Sequence, residues 1–139
     1  DVSRGFLHSH SYTGNPLGCA AALAALGIFD SEPVLERNAG IAARMDGLAA
    51  PLREHPNMAD VRQTGLILAI EMVANGKSRR PFAAEERRGL RAYRHALAQG
   101  VVLRPLGDIL YWMPPYCIDE EGLQHLAAVT LGALNEATR

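Results

Sequence analysis

The sequence predicts an α+β fold: a small, largely antiparallel or mixed sheet of about four strands covered by helices. Three observations lead there. Apolar residues recur at helical spacing near both ends of the chain. The pattern changes to short, strongly apolar runs at "VRQTGLILAIEMV" and again at "VVLRP" and "ILYWM". The resulting order, α-α-β-β-α-β-β-α, leaves too few strands to form a core alone, so helices must cover at least one sheet face.

The elements follow in order. Asn15 can cap a first helix with Pro16 in its first turn, and Cys19, Ala22, Leu23, Leu26 and Phe29 keep helical spacing behind it. Alanines fill much of the remainder, so this helix can lie close to a neighbour. Ser31 is placed to cap a second helix with Pro33 in its first turn, running through "VLERNAGIAARMDGLAAPLREH", where Gly40, Gly47 and Pro51 weaken it. Val61 begins a strand, Gly65 breaks it, and Leu66 to Val73 form the second strand. "ANGKSRRPF" is a polar loop. A helix from about Ala84 to Gln99 follows, with Leu90, Tyr93 and Leu97 on one face and Gly100 as its stop. "VVLRP" and "ILYWM" are joined through Leu106, Gly107 and Asp108, and Pro114 and Pro115 end the second of them. Asp119, Glu120 and Glu121 suit the positive end of a last helix, whose inner face is Leu123, Ala127, Thr130 or Leu131, and Leu134.

Composition narrows the function. The 139 residues fit one ordinary domain, and 48% hydrophobic content supports a real core. A net charge of −1 argues against nucleic acid as a partner. No apolar run reaches the roughly 18 residues of a membrane span. Cys19 and Cys117 are the only cysteines, which suits a reducing, cytoplasmic setting. The first residues lack the layout of a secretion signal and start without methionine, as expected of a fragment.

The densest chemistry lies in "HSHSYTGNPLGC", residues 8–19. His8 and His10 could face one way on an extended stretch, but a metal site needs further ligands, and no acidic residue follows before Asp30. Ser9 and Ser11 lie beside histidines without the strand–turn–helix elbow of a serine nucleophile. A hydroxyl-rich loop entering a helix fits better as a seat for an anion such as phosphate. Arg87, Arg91 and Arg94, with Arg79, Arg80 and Arg88, read as a solvated face. Arg104 ends an apolar strand before Pro105. It fits a carboxylate clamp or a structural ion pair. Tyr111, Trp112 and Tyr116 could wall an apolar slot or belong to the core.

Three segments together carry a resemblance. "HSHSYTGNPLGCAAALAAL" resembles the stretch that follows the catalytic lysine in class III, fold type I pyridoxal-phosphate aminotransferases. "VRQTGLILAIEM" resembles their small-domain strand pair. "VVLRPLGDILYWMPPYCI" is similar to the branch that aminates 8-amino-7-oxononanoate with S-adenosylmethionine in biotin synthesis. The resemblance implies a homodimeric parent enzyme with small-molecule substrates. Residues 1–15 would be a loop of a large domain otherwise missing here, and 16–139 the C-terminal small domain. It implies that Ser11, where the family usually has threonine, binds the cofactor phosphate of the neighbouring subunit. Tyr12 would lie near the cofactor, Arg104 would bind the substrate carboxylate, and Tyr111 would line the substrate pocket. The family's Schiff-base lysine, its aspartate for the pyridine nitrogen and its glycine-rich loop belong to the large domain. Lys77 is the single lysine and sits in a polar loop, so this chain is expected to hold no catalytic residue, no metal and no covalent cofactor. An ω-amino acid:pyruvate aminotransferase and a stand-alone interaction domain remain the alternative readings.

Overall fold

The computed structural model describes residues 10–139. His8 and Ser9 of the opening motif, and most of the 1–15 loop segment, lie outside the described residues. In chain order the elements are α1 (Pro16–Ser31), α2 (Val34–Leu48), α3 (Ala50–Arg53), β1 (Met58–Thr64), β2 (Ile67–Met72), a 3-10 turn (Ala84–Glu86), α4 (Arg88–Leu97), β3 (Arg104–Leu106), β4 (Ile109–Trp112) and α5 (Glu120–Ala137). The chain divides into two compact units between Arg37 and Asn38.

In the first unit, Asn15 caps α1 as its sequence predicts, its side chain accepting from the Leu17 N–H at 2.9 Å. No residue of α1 is buried. Ser31 does not cap α2. It ends α1, where its hydroxyl donates back to the Gly27 carbonyl at 2.9 Å.

The second unit is built on one four-stranded sheet in the order β1-β2-β4-β3, with every neighbouring pair antiparallel. This is the predicted α+β class, with the antiparallel option realised. Gly65, at φ +55°, turns β1 into β2 through a two-residue connection. β1 starts at Met58, earlier than the apolar run suggests. Met58 pairs with Met72 across an irregularity, and the Asn57 amide donates to the carbonyls of Val73 and Ala74 at 3.1 and 3.0 Å. Strand alternation sends Leu68, Ile70, Met72, Leu110 and Trp112 to one face, where all are buried. They form the core with Met45 and Leu52 from α2 and α3, Ala92 and Ala96 from α4, and Leu123, Val129, Ala133 and Leu134 from α5. Inside it, the Trp112 indole N–H donates to the Thr130 hydroxyl at 2.9 Å, and that hydroxyl donates to the Leu126 carbonyl at 2.7 Å.

Three helix expectations change. The long second helix is broken at Ala49, and Pro51 falls in the first turn of α3, where its missing N–H costs nothing. The helix expected from Ala84 starts at Arg88, because Arg87 adopts the left-handed conformation at φ +47°. Its buried face is Gly89, Ala92 and Ala96, not Leu90, Tyr93 and Leu97; Leu97 is 46% exposed. Small residues face inward because the neighbours come so close: a Cβ on Gly89 would stand 2.0 Å from the Gly107 carbonyl oxygen. β3 is also shorter than "VVLRP". Val101 and Leu103 are buried core residues ahead of it, and the Val101 N–H donates to the Ala96 carbonyl.

α4 is tied to the end of α5 by arginines. Arg88 and Arg91 donate to the carbonyls of Ala137 and Glu136 at 2.6 and 3.2 Å, satisfying acceptors that the helix end leaves free. Arg88 also pairs with Glu86 and lies over the Phe82 ring at 5.0 Å.

Two stability tests follow from this packing. Thr130→Val keeps the shape and removes the acceptor, leaving the buried Trp112 N–H unpaired. It should cost about 1–3 kcal/mol in urea unfolding with an unchanged slope. An unchanged midpoint would show that the indole finds another acceptor. The second test concerns pH. The Arg88 guanidinium, chiefly through its hydrogen bond, holds the Glu86 carboxyl below the usual range. Its stabilising effect is therefore present above the ordinary carboxylate pKa and lost as pH falls through the lowered folded value. Glu86→Gln should lower the melting temperature at neutral pH and match the wild type in strong acid. A melting difference that persists in acid would assign the effect to something other than this ion pair.

Candidate functional site

The register that buries one face of the sheet aligns a row of side chains on the other. Arg104 of β3 lies opposite Tyr111 of β4, Tyr111 opposite Ala69 of β2, and Ala69 opposite Arg62 of β1. Directly opposed residues of an antiparallel ladder share a face, so this row crosses the whole sheet. A second row, Leu106, Ile109, Glu71 and Asp60, runs beside it. Leu106 and Ile67 are 72% and 51% exposed, which leaves this face open around the row.

The two arginines of the row have different surroundings. Arg62 donates to Asp60 and Glu71, each at 3.0 Å. Those two carboxylates, Asp60 first, raise its pKa further above the ordinary arginine value. Arg104 is exposed and has no ion pair or side-chain hydrogen bond among the described residues. Its five N–H donors are available to a planar anion, and a carboxylate matches them bidentately. Tyr111, half-buried, stands next to it, and Ala69 leaves space beyond. The aromatic cluster is thus divided by alternation. Trp112 is core, Tyr111 faces the open side, and Tyr116 is 57% exposed.

Ser11 and Tyr12 belong to the first unit. They sit in a double turn closed by the Thr13 N–H to His10 carbonyl and Asn15 N–H to Tyr12 carbonyl bonds, at 3.0 and 3.1 Å. The Thr13 hydroxyl accepts from the His10 N–H at 3.0 Å. Gly14, at φ +75°, turns the chain into α1. The Ser11 and Tyr12 hydroxyls make no hydrogen bond among the described residues, and Tyr12 is 75% exposed. A hydroxyl-bearing turn before a helix supplies donors of the kind that hold a phosphate.

Lys77 is exposed in the loop between β2 and the 3-10 turn. Cys19 and Cys117 are free and exposed. Among the described residues no three His, Cys, Asp or Glu side chains gather to hold a metal ion, and no single helix is long and apolar enough to cross a membrane.

Sequence reasoning missed two groups beside this site. Asp60, Arg62 and Glu71 form one charge network. The two-residue spacing of Asp60 and Arg62 within β1, which puts both on one face, was the available signal. Asp108, read as a turn residue, also accepts from the Gly89 N–H at 2.9 Å and so caps α4 from outside that helix. No local pattern announces a cap borrowed from a distant element.

The family described as aminotransferase class-III matches residues 2–133. The chain belongs to the class III aminotransferases. Among relatives in that class, an adenosylmethionine-8-amino-7-oxononanoate aminotransferase from Nitratidesulfovibrio vulgaris is 43% identical over 97% of this chain and 25% of its own length. The protein of the same name from Anoxybacillus flavithermus is 39% identical over 96% of this chain and 29% of its own. The crystal structure of the Methanocaldococcus jannaschii protein of that name superposes with a TM-score of 0.90 at 32% identity, over 99% of this chain and 32% of that one. A Vibrio fluvialis aminotransferase in its PMP-bound form gives 0.87 at 26% identity, over 98% and 30% of the two chains. The chain thus spans about a quarter to a third of the length of these class III aminotransferases.

Proposed function

We propose that this chain is the C-terminal small domain, with a short piece of large-domain loop, of a pyridoxal-phosphate aminotransferase. That enzyme transfers an amino group from S-adenosylmethionine to 8-amino-7-oxononanoate in biotin synthesis. The observation that carries the reading is Arg104, a guanidinium without an ion pair among the described residues, exposed beside Tyr111 within a segment that resembles this branch of the family. The relatives' names support the substrates, at 33–43% identity over most of the chain. Exposure of Leu17, Leu23 and Leu26 on α1 supports a place inside a larger assembly.

The roles follow from the chemistry of each side chain. Arg104 takes the acceptor's carboxylate and so fixes which end of the molecule enters the site. Tyr111 walls the space through which its chain extends. Ser11 donates its hydroxyl proton to a phosphate oxygen of the cofactor held by the neighbouring subunit of a homodimer, and Tyr12 lies near that cofactor. Pyridoxal phosphate would supply the carrier for the amino group between the two half-reactions. The residues present fit its phosphate end only, since Lys77 stands exposed. The lysine, the pyridine-nitrogen partner and the glycine-rich loop come from the large domain, and the enzyme works in the cytoplasm.

In the longer protein, Arg104→Ala should weaken acceptor binding about ten- to more than a hundredfold, the loss of one charge-assisted pair at about 1.5–3 kcal/mol. The donor half-reaction and the melting temperature should change far less. Normal acceptor binding with a lowered melting temperature would make Arg104 a structural residue. Single-turnover assays with each substrate, with pyruvate as the competing acceptor, separate this reading from an ω-amino acid:pyruvate aminotransferase. For the chain as it stands, borohydride reduction with pyridoxal phosphate should leave Lys77 unmodified in intact-mass spectra. A stoichiometric adduct there would contradict the assignment.

A further inference from the structure

The hairpin that presents Arg104 is weakly held by its own strand. β3 is an edge strand of three residues, and its middle residue, Pro105, has no N–H to give the ladder. One flank of the hairpin is not packed either. A cleft of about 430 Å³, lined in part by Phe82, Leu90, Pro105 and Asp108, opens beside it.

What seats the hairpin is the first turn of α4. The Gly89 N–H donates to Asp108 Oδ1 at 2.9 Å, and the Asp108 carbonyl accepts from the Met72 N–H at 3.0 Å. Asp108 therefore joins the turn to a helix on one side and to β2 on the other. The contact is close: a Cβ on Gly89 would meet the Gly107 carbonyl oxygen at 2.0 Å and Pro105 Cβ at 3.2 Å. Residue 87, at the N-cap position of α4, makes no side-chain cap bond, so the carboxylate of Asp108 does that work from another element. Its negative charge also lies at the positive end of the α4 dipole. Arg104 is two residues before Leu106 in the same short hairpin, so its guanidinium shifts wherever this seat shifts.

We propose that Asp108, acting through the Gly89 N–H, is a positioning residue for Arg104. It fixes the β3–β4 hairpin so that the guanidinium meets the acceptor carboxylate, while touching no substrate itself. The inference rests on the reading of Arg104 as the carboxylate clamp. Displacing such a clamp by an ångström or less is enough to change affinity severalfold.

The test compares Asp108→Ala, Asp108→Asn, Arg104→Ala and the Asp108→Ala/Arg104→Ala double variant in the longer, cofactor-loaded protein. Asp108→Ala should raise KM for 8-amino-7-oxononanoate about three- to tenfold with little change in kcat or in the donor half-reaction. Asp108→Asn keeps the Oδ1 acceptor and should restore KM, even where it lowers the melting temperature. In the Arg104→Ala background, Asp108→Ala should add nothing to KM, since both act through one guanidinium. An acceptor KM unchanged in Asp108→Ala, or an effect that multiplies fully with that of Arg104→Ala, would overturn the positioning role and leave the clamp standing. An acceptor KM unchanged in Arg104→Ala itself would remove both.

Discussion

The second unit depends on one constraint: a β-strand sends alternate side chains to opposite faces, and the helices packed on this sheet within the unit bury one of them. Leu68, Ile70, Leu110 and Trp112 must all point to the helices for the core to close. Once they do, the register leaves no choice about Ala69, Tyr111, Arg104 and Arg62, which share the other side. A slip of one residue between β2 and β4 would bury Tyr111 and expel Trp112. The hydrophobic core and the row through Arg104 and Tyr111 are thus two consequences of the same ladder. The Trp112–Thr130 bond secures the buried side of that ladder against α5.

The helices contribute by how closely they approach. α4 presents glycine and alanine to its neighbours, which brings its backbone against the β3–β4 turn. Larger residues on that face would hold the helix off and break the Asp108 cap. The arginines of the second unit serve different ends. Arg88 and Arg91 satisfy the end of α5. Arg62, on the open face, is held by two carboxylates. Among the described residues Arg104 is the arginine of that face with no ion pair or side-chain hydrogen bond, which is what the proposed clamp requires.

Much of this was legible in the sequence where one residue type decides a local conformation. Asn15 with Pro16, Gly65 between two apolar runs, and Asp119 before the last helix each mark a boundary that the structure keeps. Legibility failed where a distant contact overrides a local preference. Leu90, Tyr93 and Leu97 look like a core stripe, yet the turn at Gly107 leaves room only for small residues. "VVLRP" reads as a strand throughout, but Val101 and Leu103 are spent on the core before pairing begins at Arg104. At the site, Arg104 and Tyr111 could be singled out from sequence, whereas their alignment across the sheet with Ala69 and Arg62 needed the register. The family resemblance supplied what spacing alone left open between a clamp and an ion pair.

The proposed carboxylate site at Arg104 can be seen directly. The most direct measurement is a crystal structure of the longer protein with 8-amino-7-oxononanoate bound. With Arg104 as the clamp, the substrate carboxylate should lie in bidentate contact with its guanidinium, at about 2.7–2.9 Å, with Tyr111 along the substrate's chain. A structure in which a protein carboxylate occupies that guanidinium, with the substrate's carboxylate held elsewhere, would contradict it.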